Sequence, residues 1–213
     1  MRTRIKFCGC TSAADATLAA EAGADAVGMV FAASPRRVEL AVAREIAAAL
    51  PPLVSLVGVF VNPSDDEVRR VCDAMPNLLV QLSGTESPAF TSFFGVSAIK
   101  AIHIAPEGED GPVLSERINA YPDATILFDT ENDRRAGGTG QVFAWDCVVP
   151  FARHRRSIVG GGLTPQNVAA CVRTLRPFGV DVRSGVERDE RKDGEKMRAF
   201  VEAVREADAD RAQ

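Results

Sequence analysis

Arg4-Ile5-Lys6-Phe7-Cys8-Gly9-Cys10-Thr11-Ser12 runs into Ala13–Ala22, and after Gly23-Ala24-Asp25 comes Ala26-Val27-Gly28-Met29-Val30-Phe31. The first five residues are short and largely apolar, as a strand requires. Ala13–Ala22 is built of good helix formers and follows Thr11-Ser12, residue types that cap helix N-termini. Ala26–Phe31 reads as a second strand. A strand, a helix and a strand joined by tight connections make a parallel βαβ unit.

The pattern continues along the chain. Further strands are expected at Leu53–Val61, Leu78–Leu82, Ala98–Ile102, Thr125–Asp129, Ser157–Gly160 and Val180–Arg183. Helices are expected at Ala41–Leu50, Asp65–Ala74 and Pro165–Arg173, the last two started by Ser64-Asp65 and Thr164-Pro165. Shorter helical segments lie near Glu86–Phe94, Val113–Ala120 and Ala144–Phe151. The charged stretch Arg188–Lys196 leads into an eighth helix, and Ala207–Gln213 is expected to fray. Eight units in 213 residues leave about 27 each, room for a short strand, a helix and two tight turns. No glycine- or proline-rich linker divides them. The expected fold is α/β, a single (β/α)8 TIM barrel domain of eight parallel strands over residues 1–213, with its core at about 4–205. An open doubly wound sheet fits less well, because Phe7-Cys8-Gly9-Cys10-Thr11 lacks the glycine-rich dinucleotide turn.

Composition narrows the classes. Hydrophobic residues make up 46% and charged residues 25%, with a net charge of −4. These are the proportions of a soluble globular chain, and the acidic balance argues against a general nucleic-acid binder. No run of 18 apolar residues proposes a membrane helix, and the start Met1-Arg2-Thr3-Arg4-Ile5-Lys6 lacks a signal-peptide core. Five cysteines without such a signal predict reduced thiols in a cytoplasmic protein. Cys8-Gly9-Cys10 is too tightly spaced for a zinc pair, and only His103 and His154 are available to join it, so no metal is expected. Cys72, Cys147 and Cys171 read as small core residues. The expected partner is a small molecule rather than a nucleic acid or membrane, with the chain a monomer or small homo-oligomer.

In such a barrel, chemistry gathers at the carboxyl ends of the strands. Alternation puts Lys6 and Cys8 on one face and Ile5 and Phe7 on the other, and Asp129 on the face of Leu127. A thiol and a carboxylate at one rim can act as base and acid. Each also has a plainer reading, as a buried small hydrophobe and a loop anchor. The stretch from Ile158 to Pro165 dissolves into Gly160-Gly161-Gly162 before a helix, and Val182-Arg183-Ser184-Gly185 ends the eighth strand similarly. Loops after strands seven and eight are the common phosphate site of these barrels. Gly161, Gly162, Ser184 and Gly185 therefore predict a phosphorylated small molecule, although glycines also serve simple turns. Ser34-Pro35-Arg36-Arg37 places guanidinium groups near the rim for a carboxylate or phosphate. Ala136-Gly137-Gly138-Thr139-Gly140 has the composition of a lid or of a passive connection. His103 and His154 show no partner in the sequence, and Arg153-His154-Arg155-Arg156 reads as a solvated loop.

These residues, taken in order, resemble the phosphoribosylanthranilate isomerase family. The resemblance rests on Lys6-Phe7-Cys8-Gly9-Cys10-Thr11, Gly23–Gly28, Ser34-Pro35-Arg36, Val57–Asn62, Val80-Gln81-Leu82 and Phe128-Asp129. It continues through Gly137–Gly140, Gly161–Val168 and Val180–Glu187, and covers about residues 5 to 205. It implies a cofactor-free Amadori rearrangement of N-(5-phosphoribosyl)anthranilate in tryptophan biosynthesis. By the same resemblance Cys8 is the general base, Asp129 the general acid, and Arg36 faces the anthranilate carboxylate. Lys6, Gln81 and Asp181 line the substrate, and Gly161, Gly162, Ser184 and Gly185 hold its phosphate. A cation such as Lys6 near Cys8 favours the thiolate.

Four positions depart from the family pattern. Ser83 replaces the usual histidine of Gln-Leu-His-Gly, Arg183 replaces a serine, Phe31-Ala32-Ala33 is a shortened loop, and Cys10 replaces an aliphatic residue. The competing readings are a related phosphoribosyl isomerase with another aglycone, such as the imidazole-carboxamide ribotide isomerase, and a barrel that binds a phosphometabolite without turning it over. The imidazole-carboxamide ribotide family resembles this chain less, since it generally carries aspartate where Cys8 stands.

Overall fold

The structure, a computed structural model, describes residues 2–130, 142–154 and 156–210, with the side chains of all but residues 153 and 154. Eight strands run in parallel: β1 (Arg4–Phe7), β2 (Ala26–Val30), β3 (Ser55–Phe60), β4 (Leu79–Leu82), β5 (Ala98–Ile104), β6 (Thr125–Thr130), β7 (Ser157–Val159) and β8 (Gly179–Val182). Each strand pairs with its sequence neighbours. β8 returns to β1, setting Arg4–Phe7 opposite Gly179–Val182 and closing the barrel. Helices alternate with them: α1 (Ala13–Ala22), α2 (Leu40–Ala49), α3 (Asp65–Ala74), α4 (Pro88–Ser92), α5 (Gly111–Asn119), α6 (Val149–His154), α7 (Val168–Leu175) and α8 (Gly194–Ala209). None of the described helices is long and apolar enough to cross a membrane.

Strand alternation sorts side chains into two apolar layers. Ile5, Phe7, Val80, Leu82, Ile102, Ile104, Ile126, Phe128, Val180 and Val182 pack outward, in the core shared with the helices. Val57, Ile99, Ala101, Leu127 and Ile158 fill the barrel interior. Burying a side chain the size of Phe7 or Phe128 is worth about 1.5–3 kcal/mol, so a slip of one residue in any strand is heavily penalised. That register aims Lys6, Cys8, Gln81, His103, Asp129 and Asp181 inward.

Local signals fix several helix ends. Ser12 accepts from the Asp15 N–H and Ser64 forms a reciprocal capping box with Glu67. Four expectations need correction. α7 starts at Val168 rather than Pro165, because Asn167 takes the capping position and its Oδ1 accepts from the Thr164 N–H at 2.8 Å. The approach to α8 is not helical: β9 (Glu187–Arg188) and β10 (Arg191–Lys192) form a small antiparallel hairpin turning at Asp189 and Glu190. The segment from Ala207 is not frayed as far as it is described. α8 continues through Ala209, with Ala207 fully buried, Asp208 bonded to Thr3 and Asp210 paired with Arg173. Cys171 is a core residue, but Cys72 and Cys147 are only half-buried at the core's edge.

Candidate active site

The carboxyl ends of the strands form a polar mouth over an apolar barrel. At its floor, Lys6 Nζ donates to Asp181 Oδ1 at 2.8 Å, with both side chains almost fully enclosed. Burial opposes the lysine's charge, but Asp181 and the nearby Cys8 sulfur outweigh it and hold the ammonium above the ordinary lysine range. Cys8 packs against Val30 and Val59. Gly28 on β2 supplies the space: a methyl there would stand 3.0 Å from Cys8 Sγ and 3.1 Å from Lys6 Nζ. Thiol and ammonium thus flank the same point.

Asp129 ends the inward face of β6 across the mouth. Burial is the largest influence and pushes its carboxyl above the usual range. Asp181 adds to that push, while His103, Arg183 and the Thr130 N–H, 2.9 Å from Oδ1, act against it. A carboxyl inclined to keep its proton, across the mouth from a thiol, suits a general acid facing a base. Gln81 Nε2 donates to Ser83 Oγ at 3.1 Å, and Gln81 Oε1 is buried with no hydrogen-bond partner among the described residues.

Arg36 and Arg37 part ways. Arg37 faces solvent near Glu39. Arg36 turns to the mouth, where its Nε and Nη2 donate to the two oxygens of Glu187 at 3.1 and 2.6 Å. Lys192 Nζ also donates to Glu187, at 2.8 Å. Although burial works the other way, Arg36 and Lys192 hold the Glu187 carboxyl below the usual range. Arg183 joins this rim: a methyl on Gly9 would lie 3.1 Å from Arg36 Cδ and 3.4 Å from Arg183 Cγ.

The two glycine loops meet. Gly161 sits at φ +77° and a side chain there would strike Thr130, so only glycine carries the chain past the end of β6. Asn167 braces the turn through the Thr164 N–H and, with its Nδ2, the Gly162 carbonyl at 3.0 Å. Ser184–Val186 forms one 3-10 turn after β8. A methyl on Gly185 would fall 1.9 Å from the Leu163 carbonyl oxygen, so the two loops touch at that point. Backbone N–H groups in such close turns make an anion-binding concavity.

Sequence reasoning passed over His103. The sequence places the end of the fifth strand at Ile102, whereas β5 continues to Ile104 and carries His103 inward. The signal lay in the two-residue period Ile99, Ala101, His103. The glycine segment at 137–140, expected as a lid or connection, lies outside the described residues, as does the His154 side chain.

A thiol, a carboxyl that burial inclines to keep its proton and two touching glycine loops share one barrel mouth. A model of the N-(5'-phosphoribosyl)anthranilate (PRA) isomerase family matches residues 5–203. The chain belongs to this family. The N-(5'-phosphoribosyl)anthranilate isomerase of Xanthomonas campestris pv. campestris strain 8004 is 45% identical over 212 residues, covering 97% of this chain and 95% of the relative. The crystal structure of phosphoribosyl anthranilate isomerase from Thermotoga maritima superposes with a TM-score of 0.85 at 35% identity, covering 96% of this chain and 99% of that one. Another solved phosphoribosyl anthranilate isomerase, in complex with reduced 1-(o-carboxyphenylamino)-1-deoxyribulose 5-phosphate, gives 0.82 at 33% identity with the same coverage. Membership of the phosphoribosylanthranilate isomerase family therefore rests on nearly the whole chain.

Proposed function

We propose that the chain converts N-(5-phosphoribosyl)anthranilate to 1-(2-carboxyphenylamino)-1-deoxyribulose 5-phosphate, the Amadori step of tryptophan biosynthesis. The observation that carries this reading is the shared inward aspect of Cys8 and Asp129, on β1 and β6 of one mouth. Asp129 protonates the furanose ring oxygen as the C1–O bond breaks, with the anthranilate nitrogen supplying electrons to form an iminium at C1. The Cys8 thiolate then removes the C2 proton, and the electrons of that C–H bond neutralise the iminium to give an enolamine. Loss of the enol proton and protonation of C1 give the ketose, with no net change in atoms or electrons. Lys6, held by Asp181, places a fixed cation beside the sulfur.

The glycine loops hold the phosphate through Gly161, Gly162, Ser184 and Gly185, an arrangement supported by their contact at Leu163. Arg36, braced along one edge by Glu187, directs the rest of its guanidinium toward the anthranilate carboxylate. Gln81 and Asp181 line the floor beneath the sugar. The barrel draws on residues from Arg2 to Asp210, which supports reading the chain as one domain.

The test is turnover. Substrate is generated in situ and its fluorescence followed; the folded protein should consume it well above background. A folded protein that leaves the signal at background would overturn the activity, and would favour a barrel that binds without turning over.

A further inference from the structure

We propose that His103 is a positioning residue for Asp129, holding the carboxyl at the mouth and setting how readily it gives up its proton. This rests on Asp129 acting as the general acid. His103 shares the inward face of β5 with Ile99 and Ala101, which line the interior, and stands directly opposite Asp129 in the β5–β6 register. Its ring is fixed: Nε2 lies 3.0 Å from the Ser83 carbonyl oxygen. A carbonyl only accepts, so Nε2 carries a hydrogen and Nδ1 is the nitrogen left to gain or lose a proton. The main chain is fixed too, since Arg117 Nη2 donates to the His103 carbonyl at 3.1 Å.

Serine at position 83 suits this arrangement. Its main-chain carbonyl anchors the ring from β4, while its hydroxyl is taken by Gln81. Among the described residues, the charged groups acting on Asp129 are His103 from β5, Asp181 from β8 and Arg183 beyond it, with Lys6 of β1 tied to Asp181. β7 offers only Gly160 at its end. His103 therefore stands beside the acid, where a protonated imidazole stabilises the carboxylate left after proton transfer.

The experiment compares the wild-type enzyme with His103→Gln, which keeps an N–H donor for Ser83 but does not titrate, and with His103→Ala. Two readouts are followed: the pH profile of kcat, and the Asp129 carboxyl titration by carbon-13 NMR. In His103→Gln, kcat should fall about tenfold through a weaker acid, with KM within about twofold. The alkaline limb and the Asp129 titration should both move to higher pH, because a cation that lowered the carboxyl's pKa is gone. His103→Ala should move both in the same direction. If the Asp129 titration stays at its wild-type position in both variants, the proposal is overturned. Absence of turnover by the wild type overturns the proposed reaction instead, and the carboxyl titration still decides the His103 assignment.

Discussion

In the proposed reaction Asp129 and Cys8 do opposite work, in keeping with their different surroundings. The carboxyl is pushed by burial to keep its proton, while the thiol stands beside an ammonium that Asp181 holds in place. Replacing Asp129 with asparagine keeps the shape and removes the proton, so kcat should fall by at least about 100-fold in the fluorescence assay. Arg36 gives a different signature. Glu187→Gln removes the charge that braces its guanidinium, so KM should rise roughly tenfold with a smaller change in kcat, the pattern of lost ground-state binding. The inward placement of Cys8 and Asp129 was legible because each is a polar residue at the end of an apolar strand of period two. The Arg36–Glu187 pair was not, since its members are 151 positions apart and only the closed barrel brings them together.

The β4 loop shows how an element is held. Lys100 Nζ, buried between barrel and helices, donates to the Gly84 carbonyl at 2.6 Å and to Glu86 Oε2 at 2.7 Å. The other Glu86 oxygen accepts from the Asn62 and Gly84 N–H groups. Burial opposes the Glu86 charge, but Lys100 and these donors hold its pKa below the usual range. A carboxyl whose folded pKa is depressed contributes stability above its unfolded pKa and loses that contribution on acidification. Urea midpoints should therefore decline as pH drops from about 5 to about 3, and Glu86→Gln should flatten that decline. The same variant should cost about 3 kcal/mol at neutral pH by leaving the buried Lys100 ammonium without its counter-charge. At the glycine loops, Gly185→Ala drives a methyl into the Leu163 carbonyl, so the loops must separate. Phosphate competition should weaken at least about tenfold, equal to roughly 1.4 kcal/mol of binding. Strand and helix positions were readable from period and caps; Ser12 and Ser64 mark their helices plainly. The turn at Asp189 and Glu190 was not, because left-handed backbone at two acidic residues leaves no strong sequence signal.

On the scale of the whole molecule, the barrel is a ring whose seam carries chemistry. The β1–β8 edge is joined by backbone pairing, by the Arg4 N–H on the Phe178 carbonyl at 2.9 Å, and by Thr3 on Asp208. Its enclosed ion pair is Lys6–Asp181. Asp181→Ala would strand the ammonium in the wall, costing about 3–5 kcal/mol by urea unfolding and the floor of the mouth with it. The number of units and their closure were foreseeable, because eight units of about 27 residues follow one another without a linker and the first turn lacks the glycines of an open dinucleotide-binding sheet.

The seam has a further meaning for a chain made from its N-terminus. Cys8 and Lys6 leave the ribosome before Asp181, and that partner, which steadies Lys6, is synthesised 175 residues later. Any truncated product ending before β8 holds the sulfur without the carboxylate that secures its neighbouring ammonium, and lacks the strand that shuts the ring. Under the proposed function turnover waits for the eighth strand, so its onset during translation would time the moment when that strand docks.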